Sequence, residues 1–163
     1  MRILKPAVTI FLHHQNKFLF IRKNKDRKVD AGRLNGVGGK VEPDEDFLTA
    51  AIRETKEETG IEVGEDEMKF CGLLRTTGGY PVDWLVGFFL VEVDSFELPI
   101  GDKCREGVFR WMSPQEFKEN DKPVVDDLNY LFPDYLIKDE TFFAQADINS
   151  EEKIVRFNVK TLG

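Results

Sequence analysis

Gly39-x5-Glu45-x7-Arg53-Glu54-Thr55-Lys56-Glu57-Glu58-Thr59-Gly60-Ile61 is the stretch on which the reading of this 163-residue chain turns. Pro43-Asp44-Glu45-Asp46 reads as a helix start, with acids where the positive end of the helix dipole favours them. Gly60 reads as the stop, so a helix is predicted to run to about residue 59. On a wheel of about 100° per residue, Ala51, Thr55, Leu48 and Ile52 form the buried arc. Glu58 falls on the edge of that arc, Glu54 beside it, and Glu57 further round. An acidic helix face is ordinarily just solvated, but that explanation does poorly here. Glu54 and Glu58 are like charges four residues apart, a pair that costs about a few tenths of a kcal/mol in water and more at an apolar boundary. A divalent cation removes the cost. Mg²⁺ suits the stripe, with Mn²⁺ as its substitute, because it takes hard oxygens and shares its shell among carboxylates, water and phosphates. Arg53 lies one turn before Glu57 and is placed to reach back to Glu45, tying the helix to the loop that precedes it.

The rest of the chain bounds the function. A formal net charge of -7 argues against a surface that tracks a nucleic-acid polymer, which needs clustered Lys and Arg. It leaves room for a nucleotide held in a local basic or metal-filled pocket. Two cysteines, Cys71 and Cys104, are too few for a disulfide framework and point to a reducing, cytoplasmic setting. The N-terminal residues lack the apolar core of a signal peptide, and the longest apolar run, residues 84–93, is too short to span a bilayer. No linker divides the sequence, so one domain over residues 1–163 is expected.

Residues 7–14 and 18–22 read as a strand pair, with later strands at 68–77, 83–93 and 109–112. Ser113-Pro114-Gln115-Glu116 fits a capping box that opens a short helix. A second main helix is expected over 126–136, and a final hairpin from 141–147 and 154–159. This is a mixed α/β pattern.

The run from Gly39 to Ile61 resembles the Nudix box at every fixed position, save that Thr55 replaces an aliphatic residue. Thr55 lies on the buried arc, so the departure bears on packing. The resemblance implies an α/β/α sandwich around a mixed β-sheet, with the box as a loop-helix-loop motif. It also implies that Glu54, Glu57 and Glu58, with the carbonyl of Gly39, hold Mg²⁺ while water cleaves a diphosphate. Glu54, Glu57 and Arg53 then belong to the catalytic set, and Glu45 and Gly60 support the box. A further carboxylate commonly serves as base or extra ligand in the family, and Glu106 is the candidate here.

A narrower likeness bears on the substrate. Ala31-Gly32-Arg33-Leu34-Asn35-Gly36-Val37-Gly38-Gly39-Lys40-Val41 resembles the A-G-R-W-N-G-F-G-G-K-V segment of MutT-like hydrolases of oxidised purine nucleoside triphosphates such as 8-oxo-dGTP. Asn35 is the base-contacting position in that likeness, although Asn-Gly is also a turn signal. Val124-Val125-Asp126-Asp127-x4-Phe132-Pro133 resembles a W-P-D-D-x4-F-P segment whose aspartates grip the purine edge and whose tryptophan packs on the base. Asp126 and Asp127 keep the acids, or alternatively cap the helix they open. Val124 departs from the pattern, since valine offers no stacking face. Arg22, Lys23, Lys25 and Lys28 are candidates for triphosphate contacts. The alternatives are ADP-ribose, a dinucleoside polyphosphate or an isopentenyl-type diphosphate as substrate, and a non-catalytic nucleotide sensor.

Overall fold

The computed structural model describes residues 1–78 and 81–163. Its described strands are β1 (Ile3–His14), β2 (Lys17–Lys23), β3 (Leu34–Asn35), β4 (Val37–Lys40), β5 (Met68–Thr77), β6 (Val82–Glu92), β7 (Gly107–Met112), β8 (Thr141–Ile148) and β9 (Ile154–Leu162). They join in one mixed sheet of order β3-β2-β1-β6-β5-β8-β9, with β4 on β1 and β7 on β2. The helices are α1 (Phe47–Thr59), α2 (Pro114–Glu119) and α3 (Leu128–Leu131). None of the described helices is long and apolar enough to cross a membrane.

β1 is the axis of the fold. It runs parallel to β6 over eleven registered pairs, from Ile3↔Val82 to His13↔Glu92. Its other edge is shared: Ala7 to Ile10 pair with β4, and His13 and His14 pair with β2. The β1–β2 turn places Gln15 and Asn16 both at positive φ, 47° and 62°, the combination that matches strand twist in a two-residue hairpin. Because side chains alternate along a strand, β1 feeds two cores. Val8, Ile10 and Leu12 meet Ala50 and Ala51 of α1 on one face. Phe11 faces the other side, with Phe20, Phe88, Phe132 and Leu128. Helices thus cover both faces of the sheet, as expected, with α1 on one and Phe117 of α2 and Leu128 and Leu131 of α3 in the core of the other.

α1 keeps the predicted stop at Gly60, which sits at φ 83° with its N–H on the Lys56 carbonyl at 2.9 Å. Its start is capped by Asp46, which accepts from the Thr49 amide at 2.7 Å. Thr55 is fully buried and satisfies its hydroxyl on the Ala51 carbonyl at 2.8 Å, so the hydroxyl is tolerated inside the core. The buried arc is wider than the wheel placed it, since Ala50 is also at 0% exposure. Ser113 forms the expected capping box with Glu116.

The second main helix is corrected. The expected helix over 126–136 is a single turn, α3, after which Phe132 is extended at φ -103°, ψ 133°. Phe132 precedes Pro133, and the proline ring disfavours helical backbone at the residue before it. Two short strands, β3 and β4, also emerge from a Gly-rich segment that carries no strand signal in sequence. Gly38 enables one of them: a Cβ there would collide with the Val8 carbonyl of the neighbouring strand.

Candidate active site

Arg53 organises the acids of α1. Its Nε donates to Glu45 Oε2 at 3.0 Å, its second terminal nitrogen to Glu45 Oε1 and to the Lys40 carbonyl, and its first to Glu54 Oε1 at 2.9 Å and Glu57 Oε2 at 3.2 Å. One guanidinium therefore joins loop, strand and helix. Lysine has the charge but lacks the fork. Arg53→Lys is expected to cost about 1–2 kcal/mol in urea unfolding and roughly tenfold in turnover, through loosened carboxylates.

Glu58 is the buried member, 6% exposed, and its Oε2 accepts from the Gly38 amide at 3.0 Å. Burial pushes its carboxyl up to about 8, with Glu54 and Glu106 adding repulsion against the opposing pull of Lys23. Glu54 is also raised, first by burial, with Arg53 opposing. Glu57 lies largely in solvent. Among the described residues no three acids, histidines or cysteines are drawn into a preformed metal cage. Arg53 holds Glu54 and Glu57, while Gly38 holds Glu58. The donor chemistry nevertheless fits a hard cation. Each glutamate engages one oxygen in these hydrogen bonds, leaving Glu54 Oε2, Glu57 Oε1 and Glu58 Oε1 as further hard donors. Gly39 forms a cradle beside them, where a Cβ would collide with Glu54 Oε1.

Gly38, Gly39 and Lys40 of β4 also border a cavity of about 890 Å³. Lys23, Asn35, Gly39, Glu106, Asp126 and Asp127 all line it. Topology explains the convergence. The Leu34 amide bonds the Pro123 carbonyl at 2.8 Å and the Val125 amide bonds Leu34 in return at 3.0 Å, so Asp126 and Asp127 are delivered beside Asn35. Glu106 accepts from Arg27 at 2.7 Å and from Lys23 at 3.4 Å at one wall. Of the four basic candidates, Lys23 and Lys28 line the cavity; Arg22 is registered against Val108 and, with Lys25, lies outside its lining.

Asn35 does two things. Its Oδ1 accepts from the Gly36 amide at 2.8 Å, as a turn residue would, and its side chain also bonds Asp30. Asp126 ties down β9, accepting from the Ile154 amide at 2.8 Å. Asp127 stands at the N-cap position of α3 with no capping hydrogen bond from its side chain, and its Oδ1 is buried with no hydrogen-bond partner. Burial, then the neighbouring Asp30, pushes its carboxyl up to about 7. Burial raises Asp30 as well. Sequence reasoning missed Asp30, a loop acid outside any periodic pattern, held in the left-handed region at φ 58°. It also missed Trp84, which lines the cavity, although its alternation with Val82 and Val86 is visible in the sequence. Val124 lies outside that lining, half-buried against the Phe11 core and bridged to Leu34.

A NUDIX domain family model matches residues 3–135. Among solved structures, a mutator MutT protein from Bacillus halodurans aligns with TM-score 0.79 at 19% identity, covering 96% of this chain and 97% of that one. A MutT protein from Methanosarcina mazei Go1 aligns at TM-score 0.62 and 21% identity, over 83% and 88%. A MutT NUDIX hydrolase from Burkholderia pseudomallei gives TM-score 0.64 at 19% identity, over 78% and 94%. At these identities the likeness is one of fold.

Proposed function

The chain belongs to the Nudix family, and we propose that it is a Mg²⁺-dependent hydrolase of a purine nucleoside triphosphate, an oxidised one such as 8-oxo-dGTP, releasing the monophosphate and pyrophosphate. The family makes it a pyrophosphohydrolase; its members use divalent metal ions and act on small nucleotide substrates. The observation that carries the substrate is the cavity that base-edge candidates and the Gly38-Gly39-Lys40 edge line together. Asn35, Asp126 and Asp127 line one part of it, and the Gly38-Gly39-Lys40 edge leads from it to the acids of α1. A carboxyl titrating near neutrality, as Asp127 does, offers a donor or an acceptor, and purine edges present both.

In this reading Glu54, Glu57, Glu58 and the Gly39 carbonyl hold the cation. When bound, it neutralises phosphate charge and lowers the pKa of the attacking water. Arg53 positions the carboxylates. Lys23 meets the phosphate chain, which frees Oε2 of Glu106 while Arg27 keeps Oε1, and that oxygen takes the water's proton as the water oxygen bonds to phosphorus and the bridging P–O bond to the pyrophosphate leaving group breaks. β8 and β9 reach beyond the matched region yet share the sheet, which supports a single domain over residues 1–163. Free Cys71 and Cys104 support a reducing, cytoplasmic location.

The test is a phosphate- and pyrophosphate-release panel with Mg²⁺ over 8-oxo-dGTP, dGTP, ADP-ribose and a dinucleoside polyphosphate, with Glu57→Gln as control. The highest kcat/KM is expected on the oxidised triphosphate, with pyrophosphate as product. Preference for ADP-ribose over every triphosphate would sink the substrate assignment.

A further inference from the structure

The residue that would stack on a base in the related segment is Val124 here, and it lies outside the cavity lining. Another side chain supplies a flat surface. Along β6, Val82, Trp84 and Val86 line the cavity while Asp83, Leu85 and Gly87 do not, so one face of the strand is turned toward it. Among the described lining residues Trp84 is the one aromatic. The sheet registers place it in a row with Thr76 of β5 and Lys5 of β1. The next row holds Ala7 opposite Val86, and both line the cavity, as do Thr9 and Gly38. One large planar side chain thus lines the cavity beside these smaller ones.

The backbone amide of Trp84 donates to Thr76 Oγ1 at 3.1 Å, which fixes the strand at this residue, and the indole itself meets the Lys5 ammonium at 6.0 Å from the ring centroid. That distance is at the outer reach of a cation–π contact, so the ring face is electron-rich and only loosely engaged. A nucleobase stacks on such a face more strongly than a distant ammonium does.

We propose that Trp84 is the stacking platform for the nucleotide base, a specificity-determining residue that supplies from β6 what Val124 cannot. The inference rests on the purine-nucleotide reading above and adds which residue senses the ring. The flat face of the purine lies over the indole, while Asn35 and Asp127 meet its edge. Ligands without a base gain nothing from Trp84.

The chain has two tryptophans, which makes the test direct. Trp111 donates its Nε1–H to the Phe96 carbonyl at 3.0 Å and packs on the Phe96 ring, outside the cavity lining. In Trp111→Phe, Trp84 is the sole indole. Its emission is expected to be quenched saturably by 8-oxo-dGMP and to be unmoved by ribose 5-phosphate. By calorimetry, Trp84→Leu should weaken 8-oxo-dGMP about tenfold and Trp84→Phe less than about threefold. Pyrophosphate binding with Mg²⁺ should be unchanged in both, which a general loss of structure would not allow. Saturable nucleotide binding with unchanged Trp84 emission, or equal affinity in Trp84→Leu, overturns the role of Trp84 and leaves the substrate class standing. Failure of the unaltered protein to bind any purine nucleotide overturns both.

Discussion

Glu58→Gln is expected to lower kcat by roughly three orders of magnitude, the scale of losing a group that acts directly on reacting charge, while making the metal-free protein more stable above neutral pH. The two effects share one cause. Glu58 is 6% exposed and its carboxyl is pushed up to about 8 by burial, so without a cation its charge is poorly solvated where it lies. Glutamine keeps the shape and can still accept from the Gly38 amide, but it brings no charge to a cation. Turnover in the panel above and urea unfolding in EDTA read the two consequences separately. A variant that loses activity and is also less stable in EDTA at pH 8 would show that Glu58 acts as scaffold. A variant that retains turnover would remove Glu58 from the metal set.

The helix was the most legible part of this protein, because three independent local signals agreed on it. The acids before Phe47, the arc around Ala51 and the glycine at 60 each fix a different feature of α1, and the Arg53–Glu45 link follows from their spacing. Strand partners follow less directly. Ala7 to Ile10 pair with a Gly-rich segment whose signal in sequence is conformational freedom, not strand propensity. The expected helix over 126–136 stops at Leu131 because the ring of Pro133 disfavours helical backbone at Phe132. The site divides in the same way. Residues of α1 share one helix and their geometry is a matter of period, whereas Asp30, Asp127 and Trp84 come from three elements and meet only through long-range pairing. Val124 shows the limit of position-by-position likeness: it lies in the segment that resembles a base-binding one, yet its half-buried side chain packs against the Phe11 core.

The metal-free protein is expected to lose stability as pH rises from about 5 to 8, and the two largest parts of that loss, to which the raised carboxyls of Glu54 and Asp30 add in the same direction, should respond to different perturbations. Glu58 has a folded-state pKa of about 8 against an ordinary 4.5, and Asp127 about 7 against 3.8. Between each pair of values the folded chain holds a proton that the unfolded chain has released. Stability from each group is therefore complete below its ordinary pKa and is lost as pH climbs through the folded value. Each group removes stability throughout its window, and the slope is steepest where the windows overlap. Carboxylates that are lowered by their partners, such as Asp83 beside Arg2 and Glu45 beside Arg53, change only in more acid solution and do not mask the trend. A bound divalent cation stabilises ionised Glu58, so Mg²⁺ should flatten the portion up to about pH 8 and leave the Asp127 portion in place. Glu58→Gln should remove the Mg²⁺-sensitive portion, and Asp127→Asn the portion centred below pH 7. The measurement is urea unfolding at half-unit pH steps in EDTA and in excess Mg²⁺. A flat profile in EDTA would mean that neither carboxyl is buried as the fold requires, and a slope insensitive to Mg²⁺ would separate Glu58 from the cation.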